Sequence, residues 1–275
     1  MKSKVKSIRS CSEKNHHKKF CPKCHAGVTR SAVVLSAALL FGGIFLLFRD
    51  NVGEMIRQEK IKPFMPDFTV LEMPEQNDST QNNSAEITEK AEENLTKQVK
   101  NLCENFDNSI GWICIPETEI NYPVMYSGDN EFYLHIAVDG SYLRVGSIFL
   151  DFRCNADFSG KINVLYGHNM SDGSMFADVM NFIDESYFDS HNYGWLTTEN
   201  DVYKIEFFSL SQPENYDEFY DVTADVTVWL DKLRANSFIW RNIAVAEENQ
   251  FISLSTCTGS EGSSRTVLTG KLCKI

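Results

Sequence analysis

Positive charge is scarce over most of this chain. The 275 residues hold 26 Lys and Arg against 38 Asp and Glu. Nine of those cations fall within residues 1–30, where Glu13 is the lone acid, a net of +8. The whole chain carries −12, which leaves −20 for residues 31–275. A body of that sign repels phosphates and argues against a nucleic acid partner. Proline is also sparse, at 7. Internal repeats are absent. Charge is missing altogether from residues 31–48, SAVVLSAALLFGGIFLLF. Eighteen helical residues span about 27 Å, close to the hydrocarbon thickness of a bilayer. No small-x-small cleavage site lies between Phe48 and Lys62, and the preceding basic region is long for a signal peptide. An uncleaved signal anchor is the expectation. The Lys/Arg excess before it keeps residues 1–30 in the cytoplasm and places the rest outside the cell membrane.

The exported part divides by texture. Residues 49–83 read as a stalk, in which Pro63, Pro66 and Pro74 interrupt any helix and residues 75–83 are polar throughout. Ser84 then offers a cap. Ile87, Ala91, Leu95, Val99, Leu102 and Phe106 recur at three- and four-residue steps, which predicts a helix over about 84–106 with one apolar face. From Asn108 onward, short runs rich in β-branched and aromatic residues predict strands at 111–115, 146–150, 162–166, 202–210, 251–255 and 266–272. Helical patterns interrupt them at 176–183 and 226–233. Strands dominate at irregular spacing. The expected fold of residues 84–275 is mostly β, a closed or nearly closed barrel with helical insertions and an N-terminal helix.

Eight cysteines are split by the anchor. Cys11, Cys21 and Cys24 lie in the tail, where Cys21-Pro22-Lys23-Cys24-His25 follows His16-His17. Cys11, Cys21, Cys24 and His25 are candidate ligands for one zinc ion. The competing reading is a disordered basic tail, favoured by the lysines and the lack of apolar residues. The same string matches a c-type haem attachment, on the wrong side of the membrane for that chemistry. Cys103, Cys114, Cys154, Cys257 and Cys273 lie outside. With Cys257 set apart, the other four permit three disulfide pairings or none.

Cys257 carries the chemistry. It ends the run Phe251-Ile252-Ser253-Leu254-Ser255-Thr256, whose alternation puts Ile252 and Leu254 on one face and Phe251, Ser253, Ser255 and Cys257 on the other. Residues 258–264 are small and polar, so the strand ends at the thiol. A strand end is a rigid mount for a nucleophile, although a lone cysteine is most often a small buried hydrophobe. His168 ends a second run, Asn163 to Gly167; His135 and His191 compete with it for the role of base. Arg265 opens the next strand, eight residues after Cys257. If the two strands are antiparallel neighbours, its guanidinium returns to the thiol and favours developing negative charge.

Tyr166-Gly167-His168-Asn169-Met170, Leu254-Ser255-Thr256-Cys257 and Arg265, behind one anchor, resemble the sortases, cell-wall transpeptidases of Gram-positive bacteria, and class B most of all. Residues 111–116, 120–124, 146–151 and 172–176 extend the resemblance, as does the helical insertion before the Cys257 strand. The resemblance implies His168, Cys257 and Arg265 as the catalytic set, with Tyr166 and Ser255 lining a substrate groove. The chain departs from the family's usual pattern at Leu134-His135-Ile136-Ala137-Val138 and in the short Gly/Ser-rich segment 258–264. Neither the sorting motif nor the acceptor carries over.

The implied reaction needs no cofactor. Cys257 attacks a backbone carbonyl in the C-terminal sorting signal of a secreted protein, and an amine of a peptidoglycan precursor or cross-bridge resolves the thioester. Two relatives of this chemistry stay open: a pilin-polymerising sortase that uses a lysine acceptor, and a secreted cysteine protease in which water is the acceptor. A binding module that has kept only the fold is disfavoured by the intact catalytic set. Topology is testable directly. In a background lacking the native cysteines, an impermeant thiol reagent should label single cysteines placed at 75–83 on intact cells and miss those within 1–30. The reverse pattern overturns the exported assignment.

Overall fold

Val-, Ile- and Phe-rich strands must bury at least one face, and here eight of them do so by closing on one another. The computed structural model describes residues 34–36, 38, 43, 55, 58–71, 81–213, 219–258 and 264–275, with side chains in the first helix from residue 89. Every element below belongs to the second of its two units, Asp50–Ile275. The strands are β1 (Ser109–Cys114), β2 (Asn121–Tyr126), β3 (Ile148–Leu150), β4 (Ile162–Tyr166), β5 (Tyr193–Thr197), β6 (Val202–Ser211), β7 (Ser237–Trp240), β8 (Gln250–Cys257) and β9 (Arg265–Lys274). Their order is β5-β1-β2-β3-β4-β8-β9-β6-β7, and an additional β5–β6 pairing closes the barrel. The first half of β6 pairs with β5 and its last residues pair with β7, which stands outside the closed ring. Most pairings are antiparallel; β2 with β3 and β4 with β8 are parallel.

Ile113, Val124, Leu165, Leu196, Ile205, Ile252, Leu254 and Leu268 belong to the largest buried cluster. A second cluster packs outside the wall. Helix α1 (Gln81–Asn105) turns Leu95, Val99 and Leu102, all fully buried, toward Trp112, Met125 and Trp195. Each such side chain contributes about 1.5–3 kcal/mol. The helix begins three residues ahead of Ser84, because Gln81-Asn82-Asn83 contains no glycine or proline to stop it. The same cluster takes in Ile61 and Phe68. Residues 61–71, read from sequence as stalk, thus pack against the domain through an apolar set that the nearby prolines mask. A third cluster lies under α3 (Val226–Asn236), where Trp229 and Leu233 meet Phe208, Phe251 and Val267. Asp225 caps α3 by accepting from the Thr227 and Val228 amides.

The pattern at 176–183 does not form an α-helix. Residues Ala177–Ile183 make a 3₁₀ helix, followed by the short helix α2 (Glu185–Ser190). Phe176, Val179 and Phe182 are fully buried while Ile183 is exposed; three-residue spacing is the 3₁₀ period. Among the described residues no helix is long and apolar enough to cross a membrane. Most of the expected anchor at 31–48 lies outside the described residues, as do the tail with Cys11, Cys21, Cys24 and His25, residues 72–80, and residues 259–263. Among the described residues no cysteine is in a disulfide. Leu102→Ala should leave a cavity between α1 and the wall and cost about 2–5 kcal/mol, measured by urea unfolding of the full chain.

Candidate active site

Parallel pairing puts the C-terminal ends of two strands at the same end of a sheet, and this places the site. The β4–β8 ladder runs from Ile162↔Phe251 to Tyr166↔Ser255. Hydrogen bonds carry the same register onward. The Gly167 amide donates to Ser255 O at 3.2 Å, the Thr256 hydroxyl to Gly167 O at 2.9 Å, and Asn169 Nδ2 to Cys257 O at 2.8 Å. His168 therefore leaves β4 at the level where Cys257 ends β8. On the other side of β8, the antiparallel ladder to β9 ends in the pair Cys257↔Arg265. Arg265 Nη1 donates to Cys257 Sγ. Past that rung the two strands are joined by Thr258 N to Ser264 O at 2.9 Å and by the Thr258–Thr266 hydroxyl pair at 3.0 Å.

The structure also sorts the histidines. His168 Nε2 lies 2.9 Å from Leu134 O. A carbonyl only accepts, so this nitrogen carries a proton and Nδ1 is the one left to exchange one. His135 stacks on His168 with centroids 6.0 Å apart, and Tyr142 lies 6.2 Å beyond His135. His191 belongs elsewhere, stacked on Tyr187 at 3.8 Å. Two glycines make this packing possible. A Cβ at Gly146, where φ is +58°, would lie 2.5 Å from Leu134 O, the atom that holds His168. A Cβ at Gly167 would lie 2.5 Å from Ile148 Cδ1 and 2.7 Å from the Phe176 ring. The glycine of Tyr-Gly-His is thus a steric requirement.

Two residues back along both strands lies a polar cluster. The Tyr166 hydroxyl donates to Asp151 Oδ2 at 2.8 Å; burial and the adjacent carboxylate push this phenol up from its ordinary value. Ser255 is fully buried, its hydroxyl 2.7 Å from that of Tyr220. The Tyr166 and Tyr220 rings meet at 5.8 Å. Tyr220, Asn169, Asp151 and the Leu134 carbonyl were not found as site groups by sequence reasoning. A backbone carbonyl has no residue signature, and Tyr220 lies in no strand or motif. Elsewhere, burial pushes the Cys154 thiol up to about 11, and burial with Glu199 nearby does the same for Cys103. Such thiols stay protonated and inert. Cys257 is instead half-exposed beside a guanidinium. Among the described residues no cluster of His, Cys, Asp or Glu is placed to hold a metal ion.

A nucleophilic thiol, a cation on its sulfur and an imidazole from the adjacent parallel strand can carry out acyl transfer through a thioester. No protein-family model matches the chain. Individual relatives do. The sortase B of Listeria monocytogenes is 35% identical over 171 residues, covering 59% of this chain and 69% of that protein. A crystal structure of Bacillus anthracis sortase B is 34% identical, with a TM-score of 0.60 over 65% of this chain and 85% of the other. A Streptococcus pyogenes class B sortase involved in pilus biogenesis matches with a TM-score of 0.59 at 26% identity, covering 63% and 97%. Barrel and relatives together define a sortase-type cysteine transpeptidase. The chain belongs to the sortase B family.

The Thr256 hydroxyl is a side-chain clamp between the strand that ends at Cys257 and the one that leads to His168. Thr256→Val should leave Gly167 O short of a buried partner and cost about 1–3 kcal/mol of stability, read by urea unfolding, with a parallel fall in acyl-transfer rate.

Proposed function

We propose that this enzyme cleaves the C-terminal sorting signal of secreted proteins and joins them to an amine of peptidoglycan. The observation that carries this reading is the Cys257–Arg265 ladder pair, with the guanidinium on the sulfur, at the end of the strand paired in parallel to the one leading to His168. Cys257, as thiolate, attacks the scissile carbonyl. Arg265 favours the charge that develops on the carbonyl oxygen. His168, held through Nε2 by Leu134 O, protonates the leaving amine from Nδ1. The C–N bond breaks and a thioester on Cys257 remains. An incoming amine then attacks the thioester, His168 takes up its proton, and the thiolate departs. Tyr166 and Tyr220 floor the groove beneath the acyl group. A membrane anchor at residues 31–48 presents the domain to nascent wall outside the cell.

A second reading draws on the similarity to the pilus-biogenesis sortase of Streptococcus pyogenes. In it the acceptor is a lysine amine on another protein. Product analysis decides between the two: incubation with a peptide library and competing amines, followed by mass spectrometry, shows which amine enters the new amide bond. Release of the acid alone, with every amine refused, would make the protein a protease.

Cys257→Ala should abolish cleavage and transfer with the fold intact. His168→Ala should lower the rate by at least ~10²-fold. Arg265→Ala should lose about 10²–10³-fold, and Arg265→Lys much of that, since an ammonium lacks the planar fork. Cys257 should still be alkylated in both Arg265 variants. An Arg265→Ala enzyme within about threefold of wild type, under ~1 kcal/mol of barrier, would remove Arg265 from the reaction.

A further inference from the structure

Asp151 follows β3 and is fully buried, yet it carries a charge. Five donors converge on its carboxylate. Oδ1 accepts from the Arg153 amide at 2.9 Å and from Arg153 Nε at 2.9 Å. Oδ2 accepts from Arg153 Nη2 at 2.7 Å, the Tyr166 hydroxyl at 2.8 Å and Asn130 Nδ2 at 3.1 Å. Burial alone would raise this carboxyl; the Arg153 and Tyr166 bonds outweigh it and hold the group below its usual range, so it is ionised.

Two arms lead from this carboxylate to one imidazole. The first runs through Tyr166, which is two residues before His168 on the same strand exit. The second runs through Asn130. Its Oδ1 also accepts from the Phe152 amide at 3.0 Å, so this side chain is fixed at both ends. The neighbouring Asp129 accepts from the Glu131 and Phe132 amides at 2.8 and 2.7 Å. These bonds start the 3₁₀ turn Phe132–Leu134, which ends in the carbonyl that holds His168 Nε2. The carboxylate thus ties down both the strand that delivers His168 and the turn that orients it.

We propose that Asp151 is a positioning residue for catalysis, setting the orientation of His168 through Tyr166 on one side and through Asn130 and the Leu134 carbonyl on the other. The proposal rests on the acyl-transfer reading above. It follows from the chemistry of the donor set. A carboxylate has acceptor sites enough for all five donors, whereas an amide in its place has one acceptor oxygen and turns its own N–H groups toward donors. Its one oxygen cannot serve both sides, so either the arms let go or the group loses the Arg153 bonds that hold it in place. Stability alone would be served by the Arg153 contacts; the bonds to Tyr166 and Asn130 are the ones aimed at the site.

The test uses the full chain in detergent micelles, a sorting peptide selected with the wild type, and triglycine as acceptor. Asp151→Asn should lower kcat about ten- to a hundredfold, the scale of a misplaced catalytic group, with KM changing less than threefold. The alkylation rate of Cys257 by iodoacetamide should stay within threefold. Asp151→Asn can turn a buried amide N–H group toward the Arg153 donors, which costs stability. The double variant Asp151→Asn, Arg153→Gln replaces the guanidinium donors with a side chain that can also accept. It should recover the urea midpoint while kcat stays low. Recovery of kcat together with stability would make Asp151 purely structural and overturn the proposal. So would a kcat within twofold of wild type in Asp151→Asn, or a rise in KM alone. A wild-type enzyme that forms no thioester on Cys257 would instead sink the acyl-transfer reading itself.

Discussion

Everything chemical in this molecule depends on one pairing, the parallel ladder between β4 and β8. Antiparallel neighbours place opposite ends side by side, and only a parallel pair brings two strand exits together. Here one exit delivers an imidazole and the other a thiol. The register is fixed well beyond the ladder by the Gly167, Thr256 and Asn169 bonds. A slip of one residue would turn Ile252 and Leu254 out of the barrel and set Ser253 and Ser255 in their place. The buried cluster therefore enforces the register, and the register places the site.

Around that ladder, polar groups are placed where apolar packing already excludes water. Tyr166 pairs with Asp151 and Tyr220 with Ser255 at the last rung of the ladder. In such a setting, geometry substitutes for solvent. Donors need not reorganise when charge develops, which is the condition under which oriented groups act most strongly on a reaction. The contrast among the cysteines follows the same logic. Burial silences Cys103 and Cys154, whereas Cys257 stands at a strand end where a cation reaches it.

Much of this was legible in the sequence because it is local. Cys257 and Arg265 are eight residues apart on consecutive strands, so antiparallel pairing was enough to bring them together. The face of α1 was readable because Ala91, Leu95, Val99 and Leu102 keep the helical period. His168 was harder: its partner strand lies nearly ninety residues away, and the strand-like run before it and the motif it sits in, not any spacing, distinguished it from His135. The structure shows His135 stacked on the chosen histidine. Strand β2 escaped the pattern rules because Pro123 interrupts it, yet the ladder to β3 starts only at Val124, past the missing amide. Strands β5 and β7 are short and mixed in polarity. The 3₁₀ segment at 177–183 copied a helical pattern closely enough to pass for one. Asp151 was visible only as a letter within a motif, because convergence of donors is a three-dimensional property.

The place of β9 in the sheet has a consequence in time. It lies between β8 and β6 and, among the described residues, follows every other strand. Until it docks, the ring is open on both sides of that gap and Cys257 has no guanidinium beside it. A chain emerging from its amino end thus carries Cys257 without the Arg265 bond until the last of these strands is made. Sealing the ring and bringing a guanidinium to the Cys257 sulfur are one event.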